Sequence, residues 1–360
     1  MNDFLYLLAC ALHDEKPQEI EYLDLEAIKR LAKFHSVTPM IAYAMRGQGE
    51  EWQRIYLGNV KRNMLFKSER EKLYSFFEDH RIAYMPLKGV RIMDMYPAYG
   101  MRKMADNDIW IDKKHATEAR DYMIGEGYEC ISFGKSNHDV YHKKPIFNFE
   151  LHTSLYGETH SKEFYEYYKD INARLHKDND SECRMRMRDD DFYVYVCSHA
   201  YKHFNNSGTG VRTLCDDYVL RHNLSLDMDY VHGEAKKLKI DGFVMQMQRL
   251  SEGLFADPEN ICVTEEDKEF LSYILGSGTY GTVNHRVERQ LRMMSENVTP
   301  FTKARYVFRR VFPGDEYFKA FPFFERHRSL RPFFIVHRIG KSLVKRNKNM
   351  VAEFKAVVKA

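Results

Sequence analysis

Apolar residues recur every three to four positions over the first 80 residues, and this spacing predicts helices. The positions that define the spacing are Leu5, Leu8, Leu12, Leu23, Ile28, Leu31 and Phe34. A long charged segment from about residue 51 to residue 80 continues with few helix breakers. We therefore expect three or four packed helices in residues 1–80.

The hydrophobic period changes to two in residues 81–155, as is typical of strands. The predicted strands are residues 82–87, 107–111, 128–133, 138–143 and 146–153, with Lys143-Lys144-Pro145 as the turn between the last two. Gly125 and Gly127 end a helix that is predicted over residues 113–124. We expect these strands to form one small sheet.

Helical spacing returns at about residue 164 and persists over most of the remaining chain. The predicted helices are residues 164–168, 190–204, 211–223, 229–238, 243–253, 266–275 and 287–295. We expect a larger helical domain over residues 156–300, followed by a basic, aromatic helical segment over residues 301–360. The predicted fold class is α+β, with a small sheet between N-terminal and C-terminal helices.

Composition limits the class of protein. The chain has 360 residues, of which 44% are hydrophobic, enough for a sizeable core and two or three domains. Its six cysteines form no CxxC pair, which argues against a zinc framework or a disulfide scaffold and favours a reducing cytoplasm. The apolar run 4–12 follows Asn2 and Asp3 rather than cations, so we interpret it as a helix and not as a signal peptide. We expect no membrane-spanning helix.

Positive charge is concentrated in the tail. The net charge is +3, but residues 326–360 contain ten Lys or Arg and one acid, Glu353, which leaves the first 325 residues at −6. A basic amphipathic helix can pack on its own domain, lie on an anionic membrane surface at the inner face of the membrane, or contact nucleic acid. We do not favour nucleic acid, because no extended basic surface is evident outside the tail.

Two acids stand at the strand 107–111. In an extended conformation Asp106 and Asp108 project to one face together with Trp110 and Asp112. Like charges held so close repel unless a proton or a metal lies between them, so the pair favours a divalent cation. Asp112 has a second interpretation as the N-cap of the following helix, which we prefer.

Cations precede this acidic pair. Gly89 follows a predicted strand and begins a helical segment, a position where backbone N–H groups can approach an anion, and Lys88 adds a charge. A purely structural turn fits equally well. Arg102 and Lys103 follow the loop Tyr96–Gly100, where they either neutralise the acids or bind phosphates.

Further candidates lie later in the chain. Glu150 and His152 project from one face of the strand 146–153, and Glu150 has the alternative of being merely solvated. His199 and His203 are four residues apart on a predicted helix, but without a third ligand nearby we do not favour a metal site there. Arg212 and its neighbour Asp216 form either an i,i+4 ion pair or part of a ligand site.

A set of motifs in residues 80–225 resembles a known family. The set comprises Lys88-Gly89, Tyr96-Pro97, Arg102, Asp106-x-Asp108 and Glu150-Leu151-His152, with the later spacing of His199, His203, Arg212 and Asp216. It is similar to the nucleotidyltransferases of the DNA polymerase β type, and most closely to a bacterial branch with an LKG, YP, R, DxD pattern. This chain departs from the broader superfamily at two points. It has Lys88-Gly89 where the superfamily has Gly-Ser, and its third acid, Glu150, is Glu rather than Asp.

The resemblance implies a small mixed sheet and a two-metal mechanism. It makes Asp106, Asp108 and Glu150 the ligands of Mg²⁺ or Mn²⁺, and Glu150 able to help deprotonate an acceptor hydroxyl. It implies that an NTP, ATP among them, binds near Lys88, Gly89, Arg102, Lys103 and Arg212. His152, His199, His203 and Asp216 are second-tier candidates.

Three hypotheses of function follow. The first is a cytoplasmic Mg²⁺-dependent nucleotidyltransferase that moves a nucleoside monophosphate from NTP to an unidentified hydroxyl acceptor. The second is a catalytically silent protein of the same fold that binds nucleotide or a partner. The third is a membrane-surface accessory factor in surface-polysaccharide synthesis, acting through residues 326–360. A nuclease is disfavoured, again for lack of an extended basic surface.

Overall fold

The computed structural model describes residues 2–18, 20–158, 161–279, 281–295, 297–318, 321–344 and 348–359. The chain divides into two compact units, the first formed by residues 1–201 and 211–275, the second by residues 202–210 and 276–360. Among the described residues, no helix combines the length and the apolar character that a membrane span requires.

Four helices begin the first unit. They are α1 (Asn2–Leu12), α2 (Leu25–Phe34), α3 (Thr38–Ala44) and α4 (Glu50–Asp79). Helix α1 is buried over most of its length, which explains its apolar sequence. Helix α2 begins where the Asp24 side chain accepts a hydrogen bond from the backbone N–H of Ala27.

A five-stranded mixed sheet follows these helices, in the order β1-β2-β5-β4-β3. Its strands are β1 (Tyr84–Pro86), β2 (Asn107–Ile111), β3 (Glu129–Ser132), β4 (His138–Lys143) and β5 (Phe147–His152), with the helices α5 (Gly89–Ile92) and α6 (Ala116–Gly125) between them. Strands β2 and β5 are parallel, and all other pairs are antiparallel. Asp112 lies at the start of the turn that leads into α6, and its side chain accepts a hydrogen bond from the backbone N–H of Lys114.

One face of the sheet forms the main core of this region. Ile109 of β2 and Phe149 and Leu151 of β5 belong to a buried cluster with Phe77 of α4 and Met123 of α6. Because successive strand residues alternate between faces, the polar residues at 108, 150 and 152 lie on the opposite face. The helices therefore cover the apolar face, and the polar face carries the candidate chemistry.

The rest of the first unit is mainly helical. Its helices are α7 (Lys162–Tyr168), α8 (Asp189–Asn206, which extends beyond residue 201), α9 (Arg212–Asn223), α10 (Met228–Lys237), α11 (Asp241–Phe255) and α12 (Glu265–Ser277). A short hairpin, β6 (Leu175–Lys177) with β7 (Met185–Met187), lies between α7 and α8. The sequence did not predict this hairpin, since each strand has only three residues and carries exposed polar side chains.

The second unit contains six further helices, counted over the described residues. They are α13 (Val283–Met294), α14 (Pro300–Val311), α15 (Asp315–Phe318), α16 (Pro322–Arg326), α17 (Arg331–Val344) and α18 (Lys348–Lys359). Val287, Leu291 and Val357 are buried in its core. Glu353 accepts hydrogen bonds from Arg310 Nε at 2.7 Å and from the Tyr306 hydroxyl at 2.6 Å, so α18 is tied to α14.

Helix α17 lies in the basic, aromatic tail. Arg338 donates to the backbone carbonyls of Arg310 and Val311, at 2.6 and 3.0 Å, which ties α17 to the end of α14. Phe333 and Val336 are exposed. Lys345 and Arg346, which the sequence assigns to the basic face of the tail, lie outside the described residues. Contact with a membrane surface stays a prediction.

Candidate active site

The register of the sheet places polar side chains of β2, β5 and β4 side by side. Asp108 of β2 is paired with Glu150 of β5, and His152 of β5 is paired with His138 of β4. Directly paired residues of neighbouring strands project to the same face, only about 5 Å apart at their Cβ atoms. Asp106, two residues before Asp108, is directed to this face as well. The structure thus brings residues 106, 108 and 150 to one face of the sheet.

Asp108 lies at the centre of this group. Its Oδ1 is 2.6 Å from Lys88 Nζ and 2.8 Å from His152 Nε2, and its side chain is almost fully buried. Burial alone would raise the pKa of Asp108, but the positive charge of Lys88 and the hydrogen bond from His152 lower it overall. Because an ionised carboxylate only accepts hydrogen bonds, His152 Nε2 carries the proton in this contact.

Lys88 supplies the positive charge for the group. Burial opposes its charged form, but the charges of Asp108, Asp106 and Glu150 raise its pKa. Its φ angle is +43°, in a region that L-residues rarely adopt and that costs about 1–3 kcal/mol. The backbone N–H of the preceding Leu87 is bonded to the carbonyl of Asp108 at 3.0 Å, which fixes the turn on β2. This strained turn directs an ammonium group at the carboxylates.

The pKa values of Asp106 and His152 shift in opposite directions in this environment. Burial and the negative charge of Asp108 raise the pKa of Asp106 to about 7. Burial and the positive charge of Lys88 lower the pKa of His152 to about 4, so this imidazole is neutral near pH 7. Ionisation of Asp106 is therefore disfavoured in this site, and His152 is held in its neutral form.

Glu150 lies between two histidines. Its Oε2 is 3.6 Å from His138 Nε2 and 3.8 Å from His152 Nε2. These three residues form the one group, within the described ranges of the chain, of three possible metal ligands whose atoms all lie within 4.8 Å of one another. Asp106 and Asp108 do not join that group, so the three predicted carboxylates share a face but do not converge on one point. His138 is not among the residues predicted from the sequence.

Arg102 lies in a buried ion pair. Its Nε and Nη2 donate to the two carboxylate oxygens of Asp216, at 2.7 and 2.8 Å, and the Tyr96 hydroxyl donates to the same carboxylate at 2.7 Å. Against the penalty of burial, the charge of Arg102 lowers the pKa of Asp216. From the sequence, Arg102 either neutralises the acids or binds a phosphate, and Asp216 either pairs with Arg212 or belongs to a ligand site. The structure joins the loop before β2 to α9 through Arg102 and Asp216.

Gly89 makes room for this ion pair. A Cβ atom at Gly89 would lie 2.4 Å from Arg102 Nη1, far closer than a van der Waals contact allows. Gly89 was predicted to let backbone approach a phosphate. The structure shows a second requirement, which is the close approach of a buried guanidinium.

Replacing Gly89 with Ala is therefore expected to destabilise the protein by about 1–3 kcal/mol, the usual cost of overpacking. Urea unfolding measures this change. Gly125→Ala is the matched control, because no atom lies within 4 Å of its added Cβ at the end of α6. Equal stability of the two variants would contradict the steric role of Gly89.

A group of cations adjoins the carboxylates. Arg212 Nη1 lies 3.5 Å from the carbonyl of Lys103, and Arg62 Nε lies 3.3 Å from the carbonyl of Met104. Partial burial and the charges of Arg62, Arg212 and Lys33 lower the pKa of Lys103. Like charges held together in this way favour an anion. The sequence indicated Lys103 and Arg212 but not Arg62 or Lys33, which lie on helices without a local motif.

Helix α4 holds the segment that leads into β2. Asn59 Nδ2 donates to the carbonyl of Gly100 at 2.6 Å, Asn63 Nδ2 to that of Arg102 at 2.9 Å, and Arg70 Nη1 to Asn107 Oδ1 at 2.9 Å. All three side chains of α4 are buried. The backbone before Asp106 and the side chain of Asn107 after it are therefore anchored to a single helix.

Two predicted candidates, His199 and His203, lie on α8. His199 lies one turn from Tyr195, with ring centroids 6.4 Å apart. His203 lies in the part of α8, from Lys202 onward, that belongs to the second unit. Neither histidine belongs to the group of possible metal ligands found among the described residues.

A mixed sheet flanked by helices, with acids on the central strands and cations beside them, is the arrangement of the nucleotidyltransferase class that the motifs resemble. A family model described as uncharacterised nucleotidyltransferase matches residues 22–256, and the chain belongs to this family. The match extends from just before α2 to the end of α11. No curated protein and no solved structure matches the chain. The predicted family and the α+β fold are confirmed, whereas the roles of the individual site residues stay predictions.

Proposed function

We propose that the protein transfers a nucleoside monophosphate from an NTP to a hydroxyl acceptor, with Mg²⁺ or Mn²⁺ bound by Asp106, Asp108 and Glu150. One observation carries this proposal. The parallel pairing of β2 with β5 sets Asp108 beside Glu150 on the polar face of the sheet, with Lys88 and the cation group around Lys103 close by. Membership of the nucleotidyltransferase family supports it.

The residues present fit a divalent metal. Carboxylate oxygens are the ligands that Mg²⁺ prefers, and the spread of these acids beyond a single point suits two ions about 4 Å apart. Burial and then the negative charge of Asp108 raise the pKa of Asp106, and a bound cation would relieve the part due to charge. When bound, such ions neutralise the charge that develops on phosphate oxygens during transfer.

The side chains of the protein have distinct roles in this reaction. Arg62, Lys103 and Arg212 bind the triphosphate and favour the departure of pyrophosphate. Lys88 adds a charge at the centre of the site. The acceptor oxygen forms a bond to the α-phosphorus as the bond to pyrophosphate breaks, and Glu150 takes up the hydroxyl proton.

Binding of NTP is expected to depend on the metal. NTP with Mg²⁺ should raise the melting temperature by a few degrees at saturating ligand, whereas NTP with a chelator should not, because binding to the folded state stabilises it. Thermal-shift and calorimetric titrations measure this binding. Asp106→Asn should lose the part of the melting-temperature rise that depends on the metal. A shift in melting temperature that persists unchanged in the chelator, with no pyrophosphate released over a broad acceptor screen, would contradict the proposal.

A second candidate function has one observation in its favour. Asp108 Oδ1 already accepts hydrogen bonds from both Lys88 and His152, as it would in a protein that keeps the fold but does not turn over. Such a protein would bind NTP with an affinity indifferent to Mg²⁺. The same titrations separate the two candidates.

A further inference from the structure

The group of His138, Glu150 and His152 has a geometry of its own. The two histidines face each other across the antiparallel pair β4·β5, with ring centroids 5.0 Å apart. Glu150 Oε2 lies 3.6 and 3.8 Å from their Nε2 atoms. In a tetrahedral site with metal–nitrogen bonds of about 2.1 Å, neighbouring ligand atoms are about 3.4 Å apart. Both distances from Glu150 are thus close to ligand spacing, and the ligand atoms of the three residues all lie within 4.8 Å of one another.

We propose that His138, Glu150 and His152 form a binding site for one divalent transition-metal ion of the zinc type. Two imidazoles and a carboxylate favour zinc, cobalt or iron over Mg²⁺, which prefers oxygen ligands alone. Three protein ligands leave coordination positions open for water or substrate, as in catalytic rather than structural zinc sites.

The backbone prepares this site. All three residues lie in paired strands, so their Cα positions are set by the ladder and not by a loop. His152 is 4% exposed, whereas His138 and Glu150 are 29% and 23% exposed, so the site has a rigid inner ligand and two outer ligands reachable by an ion. Asn137 Nδ2 lies 3.5 Å from His152 Nδ1, at the limit of a hydrogen bond, beside the inner ligand.

The site is linked to Asp108 through His152. His152 Nε2 now donates its proton to Asp108, so a metal ion on that nitrogen requires the imidazole proton to move to Nδ1. Binding of the ion therefore changes the partners of Asp108, and Glu150 is shared with the proposed Mg²⁺ site. The inference itself does not rest on nucleotidyl transfer, since the ion can be measured without nucleotide.

The test uses the full chain, stripped of metal, titrated with Zn²⁺ by calorimetry and with Co²⁺ by visible absorption. We expect one ion per chain and, for Co²⁺, the absorption bands of a low-coordinate nitrogen and oxygen site. His138→Ala should weaken binding at least about 10-fold. His142→Ala is the matched control, because it removes an exposed histidine from the same side of the same strand, opposite Asn148.

Glu150→Gln is a second variant that keeps the shape of the side chain, and circular dichroism checks that each variant folds. Asp106→Asn should leave Co²⁺ binding intact even if transfer is lost, which separates this inference from the proposed function. Unchanged binding in His138→Ala and Glu150→Gln, an equal loss in His142→Ala, or no binding by the unmodified chain would each overturn the site.

Discussion

Asp108→Asn is expected to reduce nucleotidyl transfer by about 1,000-fold or more, the scale of losing a central electrostatic group. The substitution keeps the size of the side chain but removes the charge that Lys88 and His152 contact at 2.6 and 2.8 Å. Lys88 then loses its nearest counter-charge in a nearly buried site. Release of pyrophosphate and incorporation of labelled nucleotide measure the change, once an acceptor is in hand.

Asp121→Asn is the matched control for this substitution. Asp121 is an exposed acid on α6, the helix that packs on the apolar face of the sheet. It should retain full activity. If Asp108→Asn retained the activity of the unmodified protein, the assignment of the carboxylates would fail, whatever the fold of the chain.

Arg102→Ala is expected to destabilise the protein by about 3–5 kcal/mol, because it leaves the carboxylate of Asp216 buried without its partner. That carboxylate now accepts two bonds from the guanidinium and one from the Tyr96 hydroxyl. Urea unfolding followed by circular dichroism measures the loss.

A double variant separates charge from packing. Arg102→Met combined with Asp216→Leu removes both charges and keeps apolar volume, so it should cost clearly less than Arg102→Ala alone. Arg120→Ala, which breaks an exposed pair with Asp121, should leave the stability almost unchanged. A loss in Arg102→Ala no larger than in Arg120→Ala would show that the buried pair is not what joins the loop to α9.

The sequence predicted the elements of the sheet because their patterns are local. Alternation with period two placed Asp108 and Trp110 on one face and Ile109 on the other, and the structure packs Ile109 in the core. The same argument gave Glu150 its direction. That β2 and β5 are neighbours was an expectation from the family resemblance, since no local pattern specifies which strands pair across forty residues.

His138 could have been found by counting. The turn that starts at Lys143 pairs Lys143 with Phe147. Moving away from the turn by five residues on each strand then sets His138 opposite His152. Register in a hairpin follows from its turn, so the signal was present in the sequence. It was missed because the strand 138–143 carried no motif of its own.

The partner of Arg102 could not be found in this way. Asp216 lies 114 residues further along the chain, on α9, and its nearest basic residue at helical spacing is Arg212. Local reasoning therefore offered only the cation four residues away as an ion-pair partner, beside the alternative of a ligand site. Only the packing of α9 against the loop decides between the two cations, and packing of that range leaves no trace in the spacing of a single sequence.

Helix α4 contributes none of the proposed metal ligands, yet its buried amides hold the backbone before Asp106 and the Arg70 guanidinium holds the Asn107 side chain after it. Relatives that have kept every acid of the DxD pattern could still have lost activity through drift at Asn59, Asn63 or Arg70. If relatives were classified by their reactive residues alone, such chains would be counted as enzymes. Inheritance of these three helix positions is therefore as informative as inheritance of the acids when activity is assigned across the family.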